Sequence, residues 1–148
     1  MRLLGRPAAD ETLARERERF VTLVAEQFAF LEREYGCERK TAAIAGDLAY
    51  EVRYANAVAE VEVYREVRPE SVTVWLERAT APAPRQEGQD RWHALALFET
   101  VGVGDRAEIP AELEPALEYY AARLRETAYP ILRAGDFSLL SAWKGWER

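Results

Sequence analysis

The residues that could carry out chemistry are few in this chain of 148 residues. The tetrapeptide Gly135-Asp136-Phe137-Ser138 sets a glycine, a carboxylate and a hydroxyl side by side, as a catalytic or phosphate-binding loop would. A phosphate loop also needs further glycines and a lysine or a second donor, which this stretch does not supply. We therefore predict a connection between two helices, in which Gly135 ends one helix and Asp136 caps the next.

A nucleophilic site would depend on His93 or Cys37, the single histidine and the single cysteine of the chain. A general base needs a pKa near the working pH, and histidine is the side chain that most often has one. His93 follows Trp92 at the start of a predicted element, and Cys37 follows a helix end, so packing is the simpler role for both. One cysteine and one histidine cannot make a structural zinc site. We predict no catalytic residue, no metal and no cofactor.

The most unusual set of side chains lies on three predicted strands, residues 48–54, 58–67 and 71–78. Each alternates apolar and polar residues, which is typical of a half-buried antiparallel strand. If the strands are neighbours, their polar faces bring five glutamates together with a tyrosine and a tryptophan: Glu51, Glu60, Glu62, Tyr64, Glu66, Trp75 and Glu77.

An acidic face that carries aromatic side chains suits a basic protein partner, because aromatics anchor interfaces and carboxylates pair with arginine. We predict these seven residues to be partner-binding. Two alternatives stay open. The face could be a solvated one whose glutamates prevent aggregation, or a pair such as Glu60 and Glu62 could act as acid and base in a cavity.

The elements that position this face follow from hydrophobic spacing. Apolar residues at three- and four-residue steps predict one long helix over 10–35, capped by Asp10 and ended by Gly36. Residues 80–90, rich in proline and polar groups, predict an exposed loop. Residues 94–101 fit a short helix or a fourth strand, and the chain is helical again near its end.

This order predicts a single α+β domain over residues 1–148. It has a long N-terminal helix, an antiparallel meander of three strands, or four with 94–101, and C-terminal helices packed on one sheet face.

Charge and composition limit the partners. The formal net charge of −6 disfavours nucleic acid and anionic membranes, which need clustered lysine and arginine. No run approaches the length of a membrane span, and the start "MRLLGRPAADE" lacks the apolar core of a signal peptide. A single cysteine excludes an internal disulfide, which favours the cytoplasm. A homodimer through the sheet face or through Trp143 and Trp146 is also open.

Three stretches carry a resemblance: "FLEREYGC", "VRYANAVAEVEVYRE" and "LRETAYPILRAGDFS". Together they resemble a group of small bacterial proteins of unknown function that share a "YGF" helix end, a "V-x-Y-x-N" strand and turn, and a terminal "LL-x-G-D-F-S". The likeness runs loosely from residue 20 to 140, and Cys37 departs from the aromatic third position of the first motif. The resemblance implies a shared α+β fold, and some members resemble immunity proteins encoded beside bacterial toxins. It supplies no functional residue.

Taken together, the sequence predicts a non-enzymatic cytoplasmic protein that binds a macromolecule, with an immunity-type inhibitor of a toxin as its specific form. The competing prediction is a ligand-binding or enzymatic domain that uses a cavity between sheet and helices.

Overall fold

A computed structural model describes residues 5–44, 49–67 and 70–143, without the side chains of 5–10 and 42–44. It is an α+β fold with a long N-terminal helix, a five-stranded antiparallel sheet and helices at the C-terminal end packed against the sheet. The elements in chain order are α1 Gly5–Gln27, α2 Ala29–Tyr35, β1 Glu38–Ile44, β2 Ala49–Ala55, β3 Ala59–Val67, β4 Glu70–Arg78, β5 Arg91–His93, α3 Ala94–Val101, a 3₁₀ turn Arg106–Glu108, α4 Leu113–Thr127, α5 Tyr129–Ala134 and α6 Ser138–Ser141.

The N-terminal helix differs from its prediction at two points. It begins at Gly5, so Asp10 lies inside the helix and is not its cap. It also breaks at Phe28, whose φ of −103° and ψ of 16° leave the helical region. The break changes the phase of the helix, so that Phe28, Phe30 and the neighbouring Leu31 are all buried. The predicted end at Gly36 is confirmed by its left-handed φ of 66°.

The sheet is a meander in the order β1-β2-β3-β4-β5, with every described neighbour antiparallel. The three predicted strands correspond to β2, β3 and β4, but the sheet has two further strands at its edges. Strand β1, "ERKTAAI", has no apolar–polar alternation, and β5 has only three residues. Neither carries the period-two signal on which strand prediction depends. Residues 94–101 form helix α3, so the alternative of a strand there is wrong.

The core lies between one sheet face and the helices. Inward residues of the central strands, among them Val52, Val61 and Leu76, are fully buried. They share one hydrophobic cluster with Phe20 and Val24 of α1 and with apolar residues of α3 and α4. The two-layer arrangement leaves the opposite face of the sheet without a helix packed on it among the described residues.

One turn ties the sheet to two helix ends. The side chain of Asn56, between β2 and β3, donates to the backbone oxygens of Tyr35 and Leu132, both at 3.0 Å. Its Oδ1 accepts from the backbone N–H groups of Val58 at 2.9 Å and Ala59 at 3.0 Å. The three stretches that carry the family resemblance therefore meet at this residue. We call these contacts the Asn56 junction.

The Gly135 stretch connects two helices as predicted, but the N-cap of α6 is Phe137 and not the predicted Asp136. Gly135 ends α5 with a left-handed φ of 65°, and a Cβ atom there would stand 3.0 Å from the Cβ of Val58. Asp136 accepts a hydrogen bond from the backbone N–H of Ser138 at 3.0 Å. A hydrogen bond with the Ser138 side chain and this backbone bond lower the pKa of Asp136. The glycine, carboxylate and hydroxyl thus shape a helix–helix connection.

Candidate functional site

The strand register brings all seven predicted site residues to the open face of the sheet. Across β2 and β3, Glu51 pairs with Tyr64. Across β3 and β4, Glu62 pairs with Trp75 and Glu60 pairs with Glu77, while Glu66 lies opposite Ser71. Directly opposed residues of an antiparallel pair point to the same side. The predicted grouping is therefore present.

Arginines neutralise most of this acidity. Arg53 of β2 lies at the centre, and its guanidinium contacts Glu51 at 2.9 Å and Glu60 and Glu62 at 3.2 Å. It also reaches Glu77 at 3.5 Å. Burial disfavours its charged form, but Glu62 and Glu77 outweigh this and raise the pKa of Arg53.

Two further arginines, which follow β4 in the chain, contact the same carboxylates. Arg85 comes from the loop after β4 and contacts Glu60 at 2.7 Å and Glu77 at 3.1 Å, and its hydrogen bond to Glu60 raises its pKa. Arg91 at the start of β5 contacts Glu62 at 2.9 Å and Glu77 at 3.3 Å. These bonds are charge-assisted and bridge adjacent strands. We call Arg53, Arg85, Arg91 and the carboxylates of Glu51, Glu60, Glu62 and Glu77 the arginine–glutamate lattice.

The lattice corrects the expectation of an exposed acidic surface. Glu62 is only 4% exposed and Glu77 only 3%. Burial and the nearby Glu51 raise the pKa of Glu62, while Arg53 and Arg91 oppose that rise. Because three guanidinium groups face four carboxylates, the lattice as a unit carries little net charge. Its buried glutamates are paired with arginines of the same chain and are not free to pair with a partner.

The loop at 80–90 takes part in the lattice. Most of its side chains are exposed, but Arg85 is half-buried and is fixed by bonds to the backbone oxygens of Ala79 and Ala81. Sequence reasoning placed Arg85 in a solvated loop and overlooked Arg91. The signal available was the surplus of opposed glutamates, since like charges placed directly opposite each other need cations nearby.

Beyond the lattice the same face carries two aromatic side chains and one acid. The guanidinium of Arg91 lies 3.8 Å from the ring centre of Trp75, which is half-buried. Desolvation and the charge of Glu66 raise the pKa of Tyr64. Glu66 makes no ion pair with any residue in the described part of the chain. We call Tyr64, Glu66 and Trp75 the aromatic–acid patch.

The single histidine and cysteine occupy structural positions. His93 caps helix α3, since its Nδ1 accepts the backbone N–H of Leu95 at 2.9 Å. Burial and Arg106 lower its pKa to about 4, so the ring is neutral at pH 7. Cys37 is buried, and burial raises its pKa to about 11. The described residues contain no group of three metal-binding side chains.

Trp143, a candidate dimer contact, is half-buried near the sheet edge, and Trp146 lies outside the described residues. Within the described ranges, no helix has the length and apolarity to cross a membrane. Comparison with protein-family models, curated proteins and solved structures finds no match for this chain. The family resemblance therefore stays a prediction.

Proposed function

We propose that this protein is a non-enzymatic binding protein whose partner docks on the open sheet face. The supporting observation is the aromatic–acid patch on a sheet face that the described helices leave uncovered. Tryptophan, tyrosine and arginine are the residues that dominate binding energy in protein interfaces. All three stand together here, on strands that the arginine–glutamate lattice holds in place.

The arginine–glutamate lattice orders the surface around the patch before a partner binds. A surface that is ordered before binding loses less side-chain entropy when a partner arrives. Arg53 and Arg91 are held by several carboxylates each, so the patch beside them is preorganised. Recognition then depends on Tyr64 and Trp75 as anchors, and on Glu66 as an acceptor for a lysine or arginine of the partner.

The specific form of the proposal is an immunity-type inhibitor of a bacterial toxin, acting in the cytoplasm. Its support is the net charge of −6, which suits a basic partner, together with the resemblance described above. Of the seven residues predicted to bind the partner, we now propose that only the three of the aromatic–acid patch contact it. Glu51, Glu60, Glu62 and Glu77 act through the lattice, as supports of that patch.

The test is affinity capture from a lysate of the native host, read by mass spectrometry, with three forms of the protein. The site variant combines Tyr64→Ser with Glu66→Lys. The matched control combines Tyr129→Ser with Glu126→Lys, the same changes at exposed residues of the helical side. Both double variants gain the same charge and lose one tyrosine.

We expect a partner that the wild type and the control retain and the site variant loses. Co-expression of a captured toxin with each form then tests protection directly. Equal retention by both variants would place the partner elsewhere on the molecule. A protein that captures nothing at low salt would contradict the binding role itself.

A further inference from the structure

A cavity of about 670 Å³ lies at the β5 edge of the sheet. Its wall is formed by Trp92 and His93 of β5, by Arg106 of the 3₁₀ turn, by Trp143 and by the turn at residues 87–89. This volume is in the range of sites for small organic ligands, which are lined by aromatic side chains with a few polar groups. The cavity lies outside the aromatic–acid patch, although His93 touches Trp75 edge-on with ring centres 5.6 Å apart.

Two hydrogen-bond donors on the wall have no acceptor among the described residues. Trp92 is only 2% exposed, yet no described group accepts its indole N–H. His93 uses Nδ1 to accept from Leu95, so the neutral ring carries its proton on Nε2, which also lacks an acceptor. Neither atom is among the buried polar atoms that lack a partner, so both donors open onto the cavity. A ligand in the cavity can therefore supply an acceptor to each of them.

The cavity wall also carries a cation, Arg106, that has no ion pair among the described residues. It lies close enough to His93 to lower the pKa of that histidine. The single carboxylate of the wall is the exposed Glu87. The wall thus offers three hydrogen-bond donors, Trp92, His93 and the cationic Arg106, and only one acid. This balance favours a ligand with a single anionic group.

We propose that this cavity binds a small aromatic carboxylate. The ring of the ligand packs against the indole of Trp143, and its carboxylate accepts from Arg106 and from Nε2 of His93. Planar rings stack on indoles, and a guanidinium matches the two oxygens of a carboxylate. This site is independent of the proposed protein-binding function and uses no residue of the aromatic–acid patch.

Calorimetric titration with 2-naphthoate tests the site, with 2-naphthamide as the neutral probe of the same shape. We expect the carboxylate to bind at least tenfold more tightly than the amide, because the amide lacks the charge that Arg106 recognises. Cyclohexane carboxylate keeps the charge and loses the aromatic ring. We expect it to bind more weakly than naphthoate as well.

Arg106→Gln is the matching variant, since Arg106 is exposed and its removal leaves the core intact. We expect a tenfold or greater loss of naphthoate affinity with an unchanged melting temperature. Arg33→Gln is the control, because Arg33 is exposed and lines a separate cavity of about 570 Å³ that has no tryptophan. Naphthoate and naphthamide binding equally, equal affinities in the two variants, or no binding of naphthoate at 10 mM would each overturn the proposal.

Discussion

The Asn56 junction and the open sheet face are both polar networks that connect separate elements. They differ in whether any polar group remains without a partner among the described residues. At the junction, one side chain makes four hydrogen bonds to backbone groups, and both of its polar atoms are used. On the sheet face, the arginine–glutamate lattice pairs most charges, while Glu66 beside it has no ion pair among the described residues.

This difference separates residues that hold the fold from residues that are available to a partner. A polar group whose bonds are all made within the chain contributes to stability, and its loss is felt there. A group that remains unpaired on a preorganised surface contributes little to stability and can contribute to binding. Stability and binding measurements on matched variants can therefore test the distinction.

The largest loss of stability is expected for Asn56→Ala. The change removes four hydrogen bonds, at about 1 kcal/mol each, so the free energy of unfolding falls by about 4 kcal/mol. Urea unfolding measures it. Asn56→Asp keeps the acceptor for Val58 and Ala59 but places a carboxylate oxygen against the backbone oxygens of Tyr35 and Leu132, so it is expected to remain destabilised. A loss below about 1 kcal/mol in the alanine variant would contradict the junction's role.

The next largest effect is expected for Glu77→Ala within the lattice. Glu77 is 3% exposed and bridges Arg53, Arg85 and Arg91, so its removal leaves three guanidinium groups short of a partner. We expect a loss of about 3 kcal/mol, at the lower end of the range for buried ion pairs because the arginines are partly exposed. Urea unfolding of Glu51→Ala, at the edge of the lattice, provides the comparison and is expected to show a smaller loss.

A smaller effect is expected from the pH dependence of stability. Folding lowers the pKa of His93 from 6.5 to about 4, so the unfolded chain binds a proton more readily between these values. Stability is complete above pH 6.5 and declines as the pH falls through this window, by about 1 kcal/mol between pH 7 and 5.5. Unfolding at both pH values measures the change. Because the chain has no other histidine, His93→Asn is expected to flatten the curve, and an unchanged slope in that variant would refute the assignment.

The smallest effect on stability is expected for the aromatic–acid patch. Glu66→Lys removes no described ion pair, so the free energy of unfolding changes by less than about 0.5 kcal/mol. The same variant is expected to weaken partner capture, since Glu66 has no ion pair among the described residues and can accept from the partner. A variant that loses stability and binding together would erase the distinction between the two regions.

The central part of the fold could be predicted from sequence because its signals are local. Alternation in β2, β3 and β4 and the glycine at position 36 fix strand faces and a helix end without reference to distant residues. The break at Phe28 and the edge strand β1 depend on packing against other elements, which local patterns do not contain. The faces of the central strands therefore followed from the sequence more readily than the number of strands in the sheet.

The candidate site was predictable in its positions and not in its charge balance. Period-two spacing placed all seven residues on one face, as the register has them. The neutralising Arg85 and Arg91 come from a loop and a three-residue strand. Their local sequence does not indicate that their side chains contact glutamates of β3 and β4. Tertiary pairing of this kind becomes visible only when the strands are assembled.

The most direct test of the binding proposal is hydrogen exchange of the protein with and without its captured partner. If the open sheet face is the docking surface, peptides covering residues 60–66 and 71–77 gain protection in the complex. Peptides covering α4, on the opposite side of the sheet, keep their exchange rates. Protection confined to the helices, with β3 and β4 unchanged, would contradict the proposal that the open sheet face is where this protein acts.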